Sequence, residues 1–406
     1  MMDKTTVCRI CQGTSLKEVM DFGEVALAGG FLEPGMFHME QRHHLRIGMC
    51  TECATVQVVD AVPASTLFDH YFYRSSTSRT MRDHFAAYAA DIAARYAPRH
   101  VVEIGCNDGA MLRPLAALGI EVTGVDPSDA AMEHAAGDAI VLKEYLGPDT
   151  VNACGQADVV VANNVFAHVE DIHGFTTSVR GLMRESGVFV FEVHYLGAMV
   201  ETGQYDAIYH EHVFYWSLLA VETLLEKHDM MVFDVQPIKT HGGSMRFHAC
   251  HKGARHALPQ VIRLRNAERL RCLDWPGRIE GFAAEAKEHR AQMIGLLLRL
   301  HRDGMKVAAY GASGRANTML QWCGIGPDLI EYVVDDCPGK QGHFTPGTHI
   351  PIVSPDVLFE NPPDWLLVTA WTFMEEIADR IAGYRGGLIV PFPHVQAFAP
   401  KTMEVA

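Results

Sequence analysis

The chain has 406 residues, of which 48% are hydrophobic and 20% charged, a balance typical of soluble globular proteins whose length predicts two or three domains. The formal net charge of −15 disfavours a nucleic-acid partner, because such binding depends on clustered Lys and Arg. The sequence begins without an apolar signal-peptide core, and none of its segments reaches the length of a membrane span. We therefore expect a cytoplasmic protein with no membrane partner.

Two C-x₂-C pairs stand near the N-terminus, while the other six of the ten cysteines are scattered singly. The pairs are Cys8 with Cys11 and Cys50 with Cys53. Four thiolates in this spacing can surround one Zn²⁺ tetrahedrally, which is the closed arrangement of a structural site. A redox-active C-x-x-C would not need the second pair. The spacing predicts a zinc-binding domain over 1–67 whose folding depends on the metal.

An Ala-rich helical pattern over 85–100 leads into a strand, a glycine turn, a helix and a second strand over 101–128. Gly105 and Gly109 permit a sharp turn and the close approach of a ligand. Asp126 ends the second strand, where a carboxylate can accept hydrogen bonds from ribose hydroxyls. This order predicts half of a nucleoside-binding fold.

The turn carries four spaced residues: Glu103, Gly105, Asn107 and Gly109. They lack the G-x-G-x-x-G spacing that brings a dinucleotide pyrophosphate onto a helix N-terminus. A ligand without phosphates fits better, and the order of parts resembles class I methyltransferases that use S-adenosylmethionine (SAM). We expect a SAM-binding domain over 68–255.

Polar residues also follow the next strand of this domain. Asn163, Asn164 and His168 come at its end, and a further buried strand is predicted over 187–196. Open α/β sheets bind ligands at the carboxyl edge. We therefore expect both asparagines to contribute to the cofactor site.

A second doubly wound sheet is predicted in a third domain over 256–406, from three strand-like runs with intervening helices. Its glycine turn places Ser313, Gly314 and Arg315 at the start of a helix, which suits an anion such as phosphate. A plain turn with a surface arginine fits this stretch equally well.

The stretch from Tyr205 to Ser217, YDAIYHEHVFYWS, gathers two histidines and a glutamate beside aromatic residues. Packing alone explains an isolated pair of histidines. With the cysteine pairs, the SAM-like turn, YGASGRANT and HGGSMR in this order, however, the chain resembles the sugar C-methyltransferases that act on nucleotide-linked 4-keto-deoxysugars. That resemblance covers nearly all of the chain and implies a zinc-binding domain, a central SAM domain and a C-terminal Rossmann-like domain.

The resemblance also implies an active site. The family's Tyr-x-Glu-His falls on Tyr209, Glu211 and His212, and its further histidine matches His168. A tyrosine before the SAM fold is best matched by Tyr73, with Tyr71 as the alternative. The family commonly has lysine where this chain has Arg315, so positive charge is kept and phosphate binding is still expected.

Carbon methylation requires a carbanion. A keto group at C4 acidifies the C3 hydrogen of the sugar, and a base near neutral pKa, which histidine provides, can remove it. We assign His212 as this base and Glu211 to orient it or to bind a sugar hydroxyl. Tyr209, His168 and Tyr73 are expected to stabilise the enolate oxygen by hydrogen bonding.

His241 and Arg246 are predicted to contact sugar or pyrophosphate, although a structural salt bridge explains Arg246 almost as well. His210 and the aromatics at 214–216 are expected to pack.

Other functions remain open at this point. A SAM-dependent enzyme acting on oxygen or nitrogen of another small molecule would need no enolate stabilisation. A zinc-ribbon nucleic-acid-binding protein is disfavoured by the acidic charge, and an NAD-dependent oxidoreductase by the missing dinucleotide fingerprint. The expected reactants are SAM and a sugar linked to dTDP, GDP or CDP, and Zn²⁺ is expected to be structural.

Overall fold

The computed structural model describes residues 7–63, 66–67, 74–133 and 139–399. The chain forms two compact units, each built from three stretches of sequence. The first unit comprises Met1–Glu18, Gly48–Ala198 and Val213–Pro276, and the second comprises Val19–Ile47, Met199–His212 and Gly277–Ala406. The domain boundaries that the sequence suggests, after residues 67 and 255, stay a prediction.

A four-stranded sheet contains the strands that flank the cysteine pairs. Its order is β1-β2-β3-β9, with the bounds β1 Leu16–Ala26, β2 Arg42–Cys50, β3 Val56–Val58 and β9 Phe214–Tyr215. Strands β3 and β9 pair antiparallel within the first unit. Cys50 is the last residue of β2, so strand pairing fixes the start of the second cysteine loop.

The first unit is centred on a seven-stranded sheet with the order β10-β11-β8-β7-β4-β5-β6. Its strands are β4 His100–Ile104, β5 Glu121–Val125, β6 Ile140–Leu142, β7 Ala157–Asn163, β8 Met183–His194, β10 Met230–Ile238 and β11 Ser244–His251. The five strands β8, β7, β4, β5 and β6 are parallel to one another, whereas β11 pairs antiparallel with both β8 and β10. The strand order reverses between β4 and β7, and such a switch point is where open α/β sheets bind ligands.

The helices of this unit precede, connect or follow the strands of its seven-stranded sheet. They are α1 Arg79–Tyr96, α2 Leu112–Ala117, α3 Asp129–Glu133, α4 Pro148–Cys154, α5 Ile172–Leu182, α6 Leu196–Glu201, which ends in the second unit, α7 Leu218–Glu226 and α8 Pro259–Leu270. Ser78 caps α1, and Ala97 ends it in the left-handed conformation directly before Pro98.

The core of the sheet explains its strand sequences. Strand β4 is buried at every position, and β7 nearly so, as expected for parallel strands covered on both faces. Phe166 stacks on Trp216 with ring centroids 4.8 Å apart, and both side chains are fully buried. The aromatics at 214–216 therefore pack in the core, as expected.

The second unit contains a six-stranded sheet with the order β14-β13-β12-β15-β16-β17. Its strands are β12 Val307–Tyr310, β13 Val333–Val334, β14 Ile352–Val353, β15 Trp365–Val368, β16 Gly387–Val390 and β17 Gln396–Phe398. Only the β16–β17 pair is antiparallel. When these six strands are numbered one to six in chain order, their order in the sheet is 3-2-1-4-5-6, which is that of the Rossmann fold. The switch point lies between β12 and β15.

The helices of the second unit are α9 Pro276–Arg302, α10 Gly314–Cys323, α11 Val357–Glu360 and α12 Met374–Arg380. Ser313 caps α10 by accepting a hydrogen bond from the Ala316 amide. The two doubly wound sheets and the cysteine-bearing segment confirm the predicted fold class. Among the described residues, no helix is long and apolar enough to cross a membrane.

Candidate active site and zinc centre

The four paired cysteines converge as predicted. Their sulfur atoms all lie within 4.8 Å of one another, and the Cys8–Cys53 and Cys11–Cys50 sulfur pairs are each 3.5 Å apart. A tetrahedron with Zn–S bonds of about 2.3 Å has sulfur–sulfur edges of about 3.8 Å. Burial raises the pKa of the Cys11 thiol to about 11, so a bound cation is needed to hold it as a thiolate. The residues fit a structural Zn²⁺.

The two cysteine loops share one backbone geometry. In each, the residue after the second cysteine has a positive φ, 66° at Gln12 and 60° at Ala54, and its amide donates to the carbonyl of the first cysteine, at 2.9 and 3.0 Å. The Gly13 amide also donates to Cys11 Sγ at 3.3 Å. These bonds fix the conformation of both loops and thereby the positions of the sulfurs.

The predicted SAM turn follows β4. Gly105 has a φ of +68°, and a Cβ there would lie 2.2 Å from Cγ2 of Val165, so only glycine fits. Asn107 and Gly109 also adopt positive φ, at 46° and 72°. The backbone thus forms the tight turn that the sequence predicts.

Asp126 lies at the end of β5 beside this turn. Its Oδ2 accepts a hydrogen bond from the Asn107 amide at 2.8 Å, and its Oδ1 accepts one from the Ser128 amide at 2.8 Å. The side chain is therefore held at the carboxyl edge of the sheet, where a ribose is expected.

Buried polar atoms at the same edge lack partners within the described part of the chain. They are Glu103 Oε2, Asn163 Oδ1 and Asp108 Oδ1. Burial raises the pKa of Glu103 well above its usual range. Orphaned buried groups of this kind need a ligand or water to satisfy them, and the amino and hydroxyl donors of SAM are suitable. The residues fit SAM.

The following loop carries the other residues assigned to this edge. Asn164 has a φ of +54°, and its amide donates to the Glu192 carbonyl at 2.8 Å. His168 is half-buried, and its backbone amide donates a hydrogen bond to the Val165 carbonyl, so that the loop forms a tight turn. Their contacts with cofactor or substrate stay predictions. Tyr73, and its alternative Tyr71, lie outside the described residues.

Arg246 is buried in a network on β11. Its guanidinium donates to Glu192 from Nε at 2.7 Å and to Asp91 from Nη1 at 3.3 Å, and it lies 3.3 Å from the Tyr88 ring centroid. Although burial would raise the pKa of Glu192, hydrogen bonds and charge from His84 and Arg246 hold it below its usual value. This network favours the structural salt bridge that the sequence left open.

His241, the other predicted substrate contact in this unit, lies in the 3₁₀ turn between β10 and β11. It is half-buried and has a φ of +56°. Nothing in its geometry tests a contact with substrate, so that role remains a prediction.

In the second unit, Tyr209, His210, Glu211 and His212 follow the 3₁₀ turn Tyr205–Ala207. Tyr209 and His212 are half-buried, whereas His210 and Glu211 are buried. The Tyr209 and His212 rings lie 4.0 Å apart between centroids. His210 contacts the His44 carbonyl through Nε2 at 3.3 Å, which suits the packing role expected for it.

The tautomer of His212 follows from its partner. Nδ1 lies 2.8 Å from the carbonyl oxygen of Ala207, and because a carbonyl only accepts, Nδ1 must carry the proton. Nε2 is then the unprotonated nitrogen of the neutral ring, which can accept a proton.

Glu211 is held through Oε1, which accepts from the Gly29 amide at 3.2 Å. Burial raises its pKa to about 7, so both protonation states are populated near neutral pH. The Ala207 carbonyl orients the His212 ring, and the role of Glu211 as an orienting group or as a contact to a sugar hydroxyl stays a prediction.

Arg315 lies at the start of α10, as predicted, but its guanidinium binds a carboxylate of the same unit. Nε and Nη2 donate to the two oxygens of Asp206 at 2.9 and 2.8 Å, and Nη2 also donates to Gln204 Oε1 at 2.9 Å. Binding of a substrate phosphate by Arg315 remains a prediction.

Sequence reasoning did not single out Asp206, Asp108 or Glu192. Asp108 is buried and accepts from the Ser76 amide at 3.1 Å, while Asn107 Oδ1 accepts from the Ser75 amide at 3.0 Å. The turn is thus bonded to the segment before α1. Aspartate is common in turns, but its partners here are about thirty residues away in sequence, and no local pattern indicates them.

The sheet order, the glycine turn and the orphaned polar atoms define a SAM-dependent methyltransferase. The four converging cysteines define its structural zinc site. Comparison with known proteins agrees with this class. Family models match in three parts: a zinc binding domain over residues 8–68, a methyltransferase domain over 73–233 and a C-methyltransferase C-terminal domain over 239–393.

The C-methyltransferase NovU of Streptomyces niveus is 31% identical over 408 aligned residues, which cover 97% of both chains. A ubiquinone biosynthesis O-methyltransferase of Methylobacterium nodulans is 37% identical over 97 residues, covering 22% of this chain and 38% of that protein. Among solved structures, magnesium protoporphyrin IX methyltransferase from Synechocystis matches 45% of this chain and 90% of its own, with 16% identity and a TM-score of 0.34. The chain belongs to the C-methyltransferase family that includes NovU.

Proposed function

We propose that this enzyme methylates C3 of a nucleotide-linked 4-keto-deoxysugar and that His212 is the base that forms the enolate. The observation that carries the proposal is the bond from His212 Nδ1 to the Ala207 carbonyl at 2.8 Å. It leaves the basic Nε2 on a half-buried ring next to Tyr209.

Three residues of the YHEH segment, Tyr209, Glu211 and His212, have a part in this chemistry. His212 Nε2 takes the C3 proton, and the electron pair moves onto the C4 oxygen. The Tyr209 hydroxyl is suited to donate a hydrogen bond to that oxygen, which stabilises the developing charge. Glu211, with a pKa near 7, is suited to bind a sugar hydroxyl. SAM, when bound, supplies the electrophilic methyl group that the C3 carbanion requires.

The nucleotide-sugar substrate is supported by the sequence resemblance and by the Rossmann order of the second sheet. A Cβ on Gly314, in the turn after β12, would lie 3.6 Å from Tyr209, so the YHEH segment and the carboxyl edge of that sheet are neighbours in the second unit. A sugar at Tyr209 would therefore lie beside this sheet, whose strand order is typical of nucleotide-binding folds.

The test is incubation of the protein with SAM and a panel of dTDP-, GDP- and CDP-linked 4-keto-deoxysugars. We expect one product heavier by a methylene, with NMR showing the new methyl bonded to C3. His301→Asn, a change in an exposed histidine, should leave the yield unchanged, whereas His212→Asn should abolish it. A methyl on oxygen or nitrogen would contradict the proposal.

A further inference from the structure

The crevice at the switch point of the six-stranded sheet is narrow. Gly311, which follows β12, has a φ of +106°, and a Cβ there would lie 2.3 Å from the Cβ of Ala370, which follows β15 closely. The Thr369 hydroxyl donates to the carbonyls of Tyr310 and Gly311, at 2.7 Å each. The segments at the ends of β12 and β15, which would flank a ligand in this crevice, are thus hydrogen-bonded to each other.

A carboxylate of the enzyme occupies the anion position at this switch point. Asp206 Oδ2 accepts from Trp371 Nε1 at 3.0 Å as well as from Arg315 Nε. The side chain of Asp206 is 2% exposed and that of Arg315 is 14% exposed. The guanidinium of Arg315 thus binds both oxygens of the planar Asp206 carboxylate, which is the geometry that guanidinium groups bind best.

The neighbour of Asp206 is anchored as well. His289 Nε2 donates to the Pro391 carbonyl at 2.6 Å, so its Nδ1 accepts from the Tyr205 hydroxyl at 3.0 Å. Tyr205 and Asp206 belong to one short turn whose third residue, Ala207, supplies the carbonyl bound by His212. The contacts therefore form a continuous series from Arg315 to the imidazole.

We propose that Arg315 is a positioning residue for His212, acting through Asp206 and the Tyr205–Ala207 turn, and that the nucleotide is bound by other groups. The inference rests on the proposed function, in which His212 is the base. It assigns the Rossmann switch point of the second sheet to holding the catalytic segment, with Asp206 in the place of a ligand anion.

The test compares Arg315→Met, Asp206→Asn and the double variant in the full-length enzyme, with Arg302→Met, whose side chain is 76% exposed, as the matched control. Hydrogen exchange over residues 204–212 is measured by mass spectrometry. The affinity of whichever of dTDP, GDP and CDP binds the wild type is measured by calorimetry, and kcat and KM are obtained with the corresponding 4-keto-sugar. Far-UV circular dichroism and the melting temperature report whether each variant is folded, and Arg315→Lys, which keeps the charge, replaces Arg315→Met if the latter fails to fold.

We expect faster exchange over 204–212 in both single variants, a fall in kcat of about 10- to 100-fold, the scale of a small misplacement of a catalytic group, and little change in KM or nucleotide affinity. The double variant should be no worse than either single one, because both remove the same contact. Loss of nucleotide affinity in Arg315→Met but not in Asp206→Asn would overturn the inference, as would unchanged exchange or additive losses. If the wild type methylates no 4-keto-sugar, the proposed function fails, and the exchange measurement still decides whether Arg315 anchors the turn.

Discussion

The carboxylate of Asp126 accepts the amide proton of Asn107 at 2.8 Å, although the two residues are nineteen apart in sequence. The bond joins the end of β5 to the glycine turn after β4. Two residues assigned separately to the cofactor site thus form one rigid edge, and Asp126 is only 7% exposed. A side chain held in this way can meet a ribose without losing further conformational entropy on binding.

Asp126→Asn should weaken SAM binding about 10- to 100-fold, because a hydrogen bond to a charged group contributes about 1.5–3 kcal/mol. Asp129→Asn is the matched control, since that carboxylate is 84% exposed and pairs with Lys143. Calorimetry with SAM measures both. Wild-type affinity in Asp126→Asn would move the cofactor to another part of the unit.

Cys53→Ser should lose zinc and lower the melting temperature of the protein, because structural zinc sites contribute about 10 kcal/mol or more of folding free energy. Cys272→Ser, at an exposed cysteine outside the cluster, should keep both. Elemental analysis of freshly purified protein should find about one zinc per chain. Full zinc content in Cys53→Ser would show that the four sulfurs are not the ligands.

Glu268 gives the first unit a pH-dependent stability. Its fully buried carboxylate accepts hydrogen bonds from the Leu218 and Leu219 amides at the start of α7 and from the Tyr195 hydroxyl. Burial nevertheless dominates and raises its pKa to about 7, above the ordinary 4.5. A raised carboxyl pKa means that the stabilising contribution is fully present below pH 4.5 and is lost as the pH rises through 7.

We therefore expect the free energy of unfolding to fall by about 3 kcal/mol from this group between those pH values. Glu268→Gln should flatten that part of the profile, whereas Glu226→Gln, at a 74% exposed side chain that ends α7, should not. Denaturant titrations at a series of pH values measure the slope. Equal slopes in Glu268→Gln and wild type would contradict the assigned pKa.

The zinc ligands and the SAM turn are predictable because their determinants are local. Two C-x₂-C pairs specify a tetrahedral site by spacing alone, and glycines followed by a strand-ending Asp126 mark a ligand edge. The doubly wound class of both sheets follows in the same way from alternating strands and helices.

The anchoring of the YHEH segment is not predictable in this way. Asp206 meets Arg315 across 109 residues, and Arg246 meets Glu192 across 54. Both arginines have the charge expected of phosphate or substrate ligands, and only the fold shows that carboxylates of the same unit already bind them. Sequence alone identifies the type of side chain, while its partner depends on which strands become neighbours.

The assignment of His212 as the base is tested most directly by proton exchange at C3 of the 4-keto-sugar. Wild-type protein and His212→Asn are each incubated with the substrate in D₂O, with S-adenosylhomocysteine in place of SAM so that no methyl is transferred. We expect the wild type to exchange the C3 hydrogen and His212→Asn to exchange it about 10²–10⁴-fold more slowly, the usual effect of removing a general base. His212→Asn that exchanges the hydrogen at the wild-type rate would contradict the assignment.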